Sequence, residues 1–411
     1  MSTHHPQTKL ISDYYPSEDH NSAVKMPVYH SSTYNFGSAE EAARFFEISQ
    51  GKRAAEAADK GYIYSRLDHP NLRLAEQRMC VYDGGEDALL FESGMAAISA
   101  SCMALLRPGD IILHSEPLYG GTDHFFRDML SAWGVKLQGF SIDESAESII
   151  NRLENQNNLS KIAIIYVESP ANPTNTLIDF SVVVEVRNHI HSCGGAAHIL
   201  ADNTYLGPVF QQPLQLGADL VLYSGTKYIG GHSDLLAGIA VGSRELIRSI
   251  RKVRNSLGNM ASPHTSWLLT RSLETLHLRM QAAEANARSL LPLLENNPAV
   301  TQIHYPGYKR QEELYARQCS GSGATIGIEL MGGQAAAFRF LNALKLVRLA
   351  VSLGGTESLA THPATTTHSN VPEQVRLAYG IHPGLIRLSI GIEHAVDIQE
   401  DIVQAIKKSR Q

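Results

Sequence analysis

The stretch "HILADNTYLGPVFQQPLQLGADLVLYSGTK", residues 198–227, holds two apolar runs that each lead into a charged residue. The first ends on Asp202. The second passes through Ser224, Gly225 and Thr226 to Lys227. A carboxylate or an ammonium at the end of a buried strand is costly unless something pairs with it. In open α/β sheets, ligands bind outside the carboxyl ends of the strands. The two charges therefore predict neighbouring strands whose ends face a bound group.

The same alternation extends in both directions. "DALLFES", "DIILHSE", "IAIIYVES" and "LAGIAVGS" read as further strands. Between them lie helical patterns: "GMAAISASCMALL", "GTDHFFRDMLSAWG", "DFSVVVEVRNHIHSCG" and "RELIRSIRKVRNSLG". Continuous apolar runs between amphipathic helices predict an α/β domain over 61–258, with a mostly parallel sheet covered on both faces. From 259 to 411 a long helical stretch, "SWLLTRSLETLHLRMQAAEANARSLLPLLENN", precedes "AVTQIHYPG", "GATIGIELMG", "LVRLAVSLGG" and "LIRLSIGIE". This predicts a smaller C-terminal α+β domain. Residues 1–60 read as an irregular arm with one helical piece, "SAEEAARFFEISQ". Such an arm is expected to contact a neighbouring subunit, its first residues reading equally as a plain tail.

Composition narrows the function classes. The 411 residues are 43% hydrophobic and 18% charged, with a net charge of −6. That balance argues against nucleic acid, which needs clustered Lys and Arg. Cys80, Cys102, Cys193 and Cys319 are far apart and form no CxxC pair, so neither a metal site nor a redox pair is expected. The N-terminus lacks an apolar signal core, and no run of 18 apolar residues exists. The expectation is a cytoplasmic protein with no membrane partner.

The polar residues after each strand form five clusters: Ser93–Met95, Glu116–Tyr119, Glu168–Asn172, Asp202–Thr204 and Ser224–Lys227. "ESGMAA" places Gly94 and Met95 where a strand turns into a helix, whose free N–H groups suit a phosphate. Ser224 and Thr226 add hydroxyls. Asp202 would meet a protonated ring nitrogen. Tyr119 offers a ring for stacking. Lys227 offers an amine that forms a Schiff base when its pKa is depressed. Phosphate, pyridinium, stacking and aldehyde together describe pyridoxal 5'-phosphate (PLP). Each element alone has a plainer reading: a strand-end Asp is more often a cap, and a Lys after Thr is more often solvated. Their joint occurrence in strand order is what counts. "SGTK" lacks the spacing of a nucleotide phosphate loop, and no GxGxxG follows the first strand, so a dehydrogenase is set aside.

The chain resembles the Cys/Met metabolism family of PLP enzymes along nearly its whole length. The segments that carry the likeness are "YIYSRLDHPNLRLAE", "ESGMAAISA", "PLYGGT", "ESPANPT", "ADNTYLGPVFQQPL", "YSGTKYIGGHSDLLAG", "SLGGTESLATHPATTTH" and "LIRLSIGIE". The resemblance implies the aminotransferase-like fold type I of PLP-dependent transferases. It implies Lys227 as the Schiff-base lysine and proton shuttle, Asp202 on the ring nitrogen, and Tyr119 stacked on the ring. It implies Gly94, Met95, Ser224 and Thr226 on the phosphate, and Asn172 near the ring hydroxyl. Arg387 would clamp the substrate carboxylate bidentately, with Ser352 positioning both. Tyr64 and Arg66 would reach the phosphate of a neighbouring subunit in a homotetramer, a dimer of dimers with shared sites. Arg66 also reads as an ordinary surface arginine. His114, His232, His362 and His368 read as structural or pocket-lining.

Within the family the substrate is a small amino acid: methionine, cystathionine or an acylated homoserine, handled by γ-elimination or γ-replacement. Val351 resembles methionine γ-lyases, whereas cystathionine-handling relatives often carry a glutamate there. Gly121 stands where methionine γ-lyases typically carry cysteine, and "RNSLGNMASPH" looks more like the cystathionine enzymes. The lead expectation is a methionine γ-lyase-like C–S lyase, with cystathionine γ-synthase or γ-lyase as alternatives. The segment "ISQGKRAAEAADKGYI", which leads into Tyr62, is longer than usual and would shape the pocket entrance. A catalytically silent PLP-binding protein is the alternative of another class. Lys227, Tyr119 and Arg387 occurring together argue against it.

Overall fold

The computed structural model describes residues 4–13, 20–54, 56 and 61–410. Part of the arm and of the extended segment before Tyr62 lies outside the described residues.

Seven strands form the larger sheet: β1 (Asp87–Phe91), β2 (Ile111–Ser115), β3 (Lys136–Phe140), β4 (Ile162–Glu168), β5 (His198–Asp202), β6 (Leu220–Ser224) and β7 (Gly238–Gly242). Their order is β1-β7-β6-β5-β4-β2-β3, and only β7 runs antiparallel to its neighbours. Ile164 to Val167, Ile199 to Ala201 and Leu220 to Tyr223 are almost wholly buried, which is why these runs are continuously apolar. β3 was not expected. Its sequence, "KLQGF", sits on a sheet edge and buries only Phe140.

Helices cover the sheet. The arm carries α1 (Ala39–Ser49), capped by Ser38, whose side chain accepts from the Glu41 N–H. α2 (Pro70–Asp83) starts on Pro70 and stops at Gly84 with φ 71°. α3 (Gly94–Leu105) follows β1, α4 (Ala146–Asn155) precedes β4, α5 (Phe180–Ser192) precedes β5, and α6 (Arg244–Leu257) follows β7. Neither α2 nor α4 was expected from the pattern. In α2 the apolar face is interrupted by Glu76 and Arg78, both buried. Glu76 pairs with Arg254 of α6 at 2.7 Å, and neither side chain is exposed.

The single long helical stretch expected after 260 is two helices, α7 (Pro263–Leu273) and α8 (Leu276–Glu295). Arg279 reaches back across the break and donates to the Ser272 carbonyl at 2.8 Å. It thereby satisfies one of the carbonyls that a helix end leaves free.

A second sheet holds β8 (Val300–His304), β9 (Thr325–Leu330), β10 (Arg348–Leu349), β11 (Leu359–Thr361) and β12 (Leu385–Ser389), in the order β10-β11-β12-β9-β8. All neighbours are antiparallel except β10 and β11. α9 (Gly333–Ala343) packs on this sheet, and α10 (Ala395–Ser409) packs against α9 and α8. No helix among the described residues is long and apolar enough to cross a membrane.

Candidate active site

The end of β6 turns straight into Lys227. Its ammonium donates to the Ser352 hydroxyl at 2.7 Å and has no carboxylate partner among the described residues. Burial, followed by the positive charge of Arg387, pushes the Lys227 pKa down to about 8. Ser352 has φ 85°, a left-handed backbone that a residue with a side chain rarely adopts. That turn aims its hydroxyl at Lys227 and its carbonyl at Arg387, which donates to it at 2.7 Å. The loop is pressed against the lysine: a Cβ on Gly354 would stand 2.6 Å from the Tyr228 nitrogen.

Arg387, in the middle of β12, is 3% exposed. It also donates to the Asn172 side-chain oxygen at 3.2 Å, and its Nε is buried without a partner among the described residues. A buried guanidinium with no acid beside it among the described residues is arranged for an incoming anion.

Asp202 and Glu168 are register partners at the ends of β5 and β4. Asp202 accepts from the Thr204 N–H at 3.0 Å, the Thr204 hydroxyl at 2.6 Å and the Tyr166 hydroxyl at 3.3 Å. Glu168 accepts from the Tyr119 N–H at 2.7 Å and the Asn172 N–H at 2.9 Å. Every one of these contacts treats the carboxyl as an acceptor. Yet burial pushes the Asp202 pKa up, and burial followed by the charge of Asp202 pushes that of Glu168 up to about 8. Neither acid has an ion-pair partner among the described residues. The pair is built for two anions and lacks a cation.

At the start of α3, Ser93 accepts from the Ala96 N–H at 3.1 Å, leaving the first N–H groups of the helix for another acceptor. Gly94 faces Ser224: a Cβ there would stand 3.0 Å from the Ser224 Cβ. The Thr226 hydroxyl accepts from the Ala237 N–H at 3.0 Å and donates to its carbonyl at 3.3 Å. Tyr119 is 40% exposed, with its ring over Gly121, where a Cβ would meet the ring at 2.6 Å.

Tyr64 and Arg66 stand apart from this constellation. Both are exposed, and the Arg66 guanidinium donates to the Asn255 carbonyl and lies 5.8 Å from the Tyr64 ring. Among the four singled-out histidines, His368 is buried beside Arg387, and burial pushes its pKa down to about 4. His114, His232 and His362 bond to backbone carbonyls, as structural histidines do.

The family model for Cys/Met metabolism PLP-dependent enzymes matches residues 7–407. The chain belongs to this family. The L-methionine gamma-lyase of Pseudomonas putida is 42% identical over 412 residues, covering 98% of this chain and 97% of that one. The cystathionine gamma-lyase of Bacillus subtilis (strain 168) is 36% identical over 404 residues, covering 98% and 99%. The solved structure of cystathionine gamma synthase from Xanthomonas oryzae pv. oryzae, in complex with aminoacrylate and cysteine, superposes with a TM-score of 0.89 at 31% identity, covering 100% of this chain and 99% of that one. The fold is fold type I, as the resemblance implied. The chain is a PLP-dependent enzyme of the transsulfuration type, working by γ-elimination or γ-replacement.

The residues present fit the cofactor of this Cys/Met metabolism enzyme. A protonated ring nitrogen is the cation that Asp202 and Glu168 lack. The cradle between Gly94 and Ser224 is one that a Cβ would fill. Lys227 is desolvated and meets no acid among the described residues, which suits an amine awaiting an aldehyde. Glu168 also belongs to the site, although the sequence places it only in a strand-end cluster. It works by accepting backbone N–H groups, which no spacing of side chains reveals.

Proposed function

We propose that this enzyme is a methionine γ-lyase-like C–S lyase, converting methionine and water to 2-oxobutanoate, ammonia and methanethiol. When bound, PLP supplies an aldehyde that links amines and a ring that takes up electron density from the substrate Cα. The chain's own residues do the rest. Lys227 holds the cofactor and carries a proton between substrate carbons from its Nζ. Asp202 keeps the ring nitrogen protonated. Tyr119 stacks on the ring and exchanges a proton at the leaving group. The N–H groups of Gly94 and Met95, with the Ser224 hydroxyl, hold the phosphate, and Thr226 shares that task through whatever capacity its bonds to Ala237 leave. Asn172 lies near the ring hydroxyl. Arg387 binds the substrate carboxylate, oriented by the Ser352 carbonyl.

The observation that carries the choice of substrate is Val351. It neighbours Ser352, is 59% exposed, and presents apolar surface where a distal ammonium would want an acid. The 42% identity to an L-methionine gamma-lyase supports the same choice. Gly121 favours a second reading, a cystathionine γ-synthase or γ-lyase, because methionine γ-lyases typically carry cysteine at that position. Turnover of methionine, homocysteine, cystathionine and O-succinylhomoserine, scored for 2-oxobutanoate with and without cysteine, tests both. Elimination from methionine is the expected result. Thioether formation from O-succinylhomoserine, with methionine inert, would reverse the order. Failure of all four would overturn the enzyme reading.

The organisation we propose is an arm over 1–60, a PLP-binding domain over 61–258 and a C-terminal domain over 259–411. The active sites would be shared in a homotetramer. Supporting this, Tyr64 and Arg66 face outward. An open hollow of about 640 Å³, lined by Glu92, Ser93, Asp234, Leu236 and Met260, lies beside the start of α3. Leu236 in it is 66% exposed. A second copy's Tyr64–Arg66 segment matches its acidic and apolar lining. An Arg66→Ala protein mixed with a Lys227→Ala protein would regain activity if sites are shared, and would not if each chain serves itself.

A further inference from the structure

Glu168 stands at the meeting point of three loops. Its own N–H is held by the Ser115 hydroxyl at 3.0 Å, at the end of β2. One carboxyl oxygen accepts from Tyr119, the other from Asn172. Asn172 in turn gives its side-chain oxygen to Arg387. The side chain is 4% exposed and reaches no cation among the described residues. A buried carboxylate spends its desolvation on something, and here both oxygens are spent on backbone N–H groups of loops that flank the reacting centre.

We propose that Glu168 is a positioning residue that fixes Tyr119 and Asn172 together, and through Asn172 sets Arg387. One carboxylate thereby couples the ring-stacking side of the site to its substrate-carboxylate side. This assignment rests on Lys227 being the cofactor lysine. The geometry explains why an acid is needed. A glutamine presents one oxygen and one NH2, so it can receive only one of the two N–H donors and turns a donor toward the other. An aspartate keeps the charge but withdraws it by one methylene and cannot hold both loops.

The test uses PLP-loaded Glu168→Gln and Glu168→Asp. Three readouts are taken: kcat and KM on the wild-type's substrate, the visible circular dichroism of the bound cofactor, and affinity for L-norleucine. Norleucine is a methionine isostere with a methylene for sulfur, so it binds without a γ leaving group. Losing a charge-assisted acceptor is worth about tenfold in the step that uses it. Both variants should therefore lower kcat and raise KM together, each by about tenfold. Norleucine affinity should fall by a similar factor, and the cofactor dichroism should change. A lowered Tm with KM, norleucine affinity and dichroism at wild-type values in either variant would overturn the proposal, because a structural role moves only the folded fraction. A visible band that persists in Lys227→Ala would overturn the cofactor site itself, and the Glu168 assignment with it. A Lys227-dependent band with unchanged readouts in the Glu168 variants overturns the assignment alone.

Discussion

Two regions of this protein bury charge, and they treat it in opposite ways. Behind β1, Glu76 and Arg254 face each other at 2.7 Å with Arg73, Arg251 and Asp87 around them. Arg254 also donates to the carbonyls of Leu90 and Leu67, tying β1 to the segment that carries Tyr64 and Arg66. Each charge there has its answer inside the chain. At the strand ends the charges are segregated. Among the described residues, Lys227 and Arg387 are cations without acids, and Asp202 and Glu168 are acids without cations. Closed pairing makes structure, whereas withheld pairing leaves each charge to be answered by cofactor or substrate. The difference also says where a substitution should cost stability and where it should cost activity.

The largest effect falls on Lys227. Lys227→Ala should remove the visible cofactor band and lower kcat by at least about 10²–10⁴-fold, the usual worth of a positioned proton carrier. Its thermal midpoint without cofactor should stay close to the parent's, because a desolvated amine whose partner among the described residues is the Ser352 hydroxyl adds little. A clear fall in that midpoint would show that the lysine is structurally paired after all. The arginines give the sharper contrast. Arg254→Met removes the one fully buried partner of Glu76 and leaves it to Arg73 and Arg251, which are partly exposed, at a cost of about 3 kcal/mol in denaturant unfolding. Arg387→Met orphans no acid, so its unfolding free energy should stay within about 1 kcal/mol of the parent. Its KM should rise about 10²-fold, the loss of a charge-assisted bidentate contact. Similar unfolding costs at the two arginines would erase the distinction between the regions.

The sequence was legible where one cause dominates a residue. Six of the seven large-sheet strands were readable because both faces are covered and the runs are apolar throughout. β3 was hidden because an edge strand buries one side chain. α2 was hidden because Glu76 and Arg78 break its apolar face, and their partners, Arg254 and Glu274, lie far away in sequence. At the site, Asp202, Lys227 and Arg387 stood out because a charge ending or interrupting an apolar strand asks for a partner. Glu168 and the strained backbone of Ser352 act through main-chain geometry, which spacing does not encode. Thr226 was expected on the phosphate, yet both bonds of its hydroxyl run to Ala237.

The withheld partner of Lys227 has a consequence in pH. An ordinary lysine near 10.4 is almost wholly protonated at neutral pH. With its pKa pushed down to about 8, Lys227 has about a tenth of its amine neutral at pH 7. The neutral amine is what captures an aldehyde. The rate at which cofactor-free enzyme gains its visible band should therefore climb about tenfold per pH unit below 8 and flatten above it. A rate still climbing at pH 10 would mean that the lysine is solvated like any other.

The smallest effect separates the open side of the site from its packed side. A Cβ on Gly238 would stand 2.0 Å from the Ser93 carbonyl oxygen, which is backbone and cannot yield. A Cβ on Gly121 would stand 2.6 Å from the Tyr119 ring, whose side chain is 40% exposed and free to swing. Gly238→Ala should shift the start of α3, weaken cofactor binding by about tenfold, and lose about 1–3 kcal/mol of stability. Gly121→Cys should cost little stability and leave cofactor affinity unchanged. The displaced Tyr119 ring would narrow the space at the substrate's γ position, so kcat/KM for cystathionine should fall about threefold relative to methionine, a shift of a fraction of a kcal/mol. If both substrates fall alike, the ring has lost its stacking position, and the room over Gly121 governs the proton transfer rather than the size of the substrate.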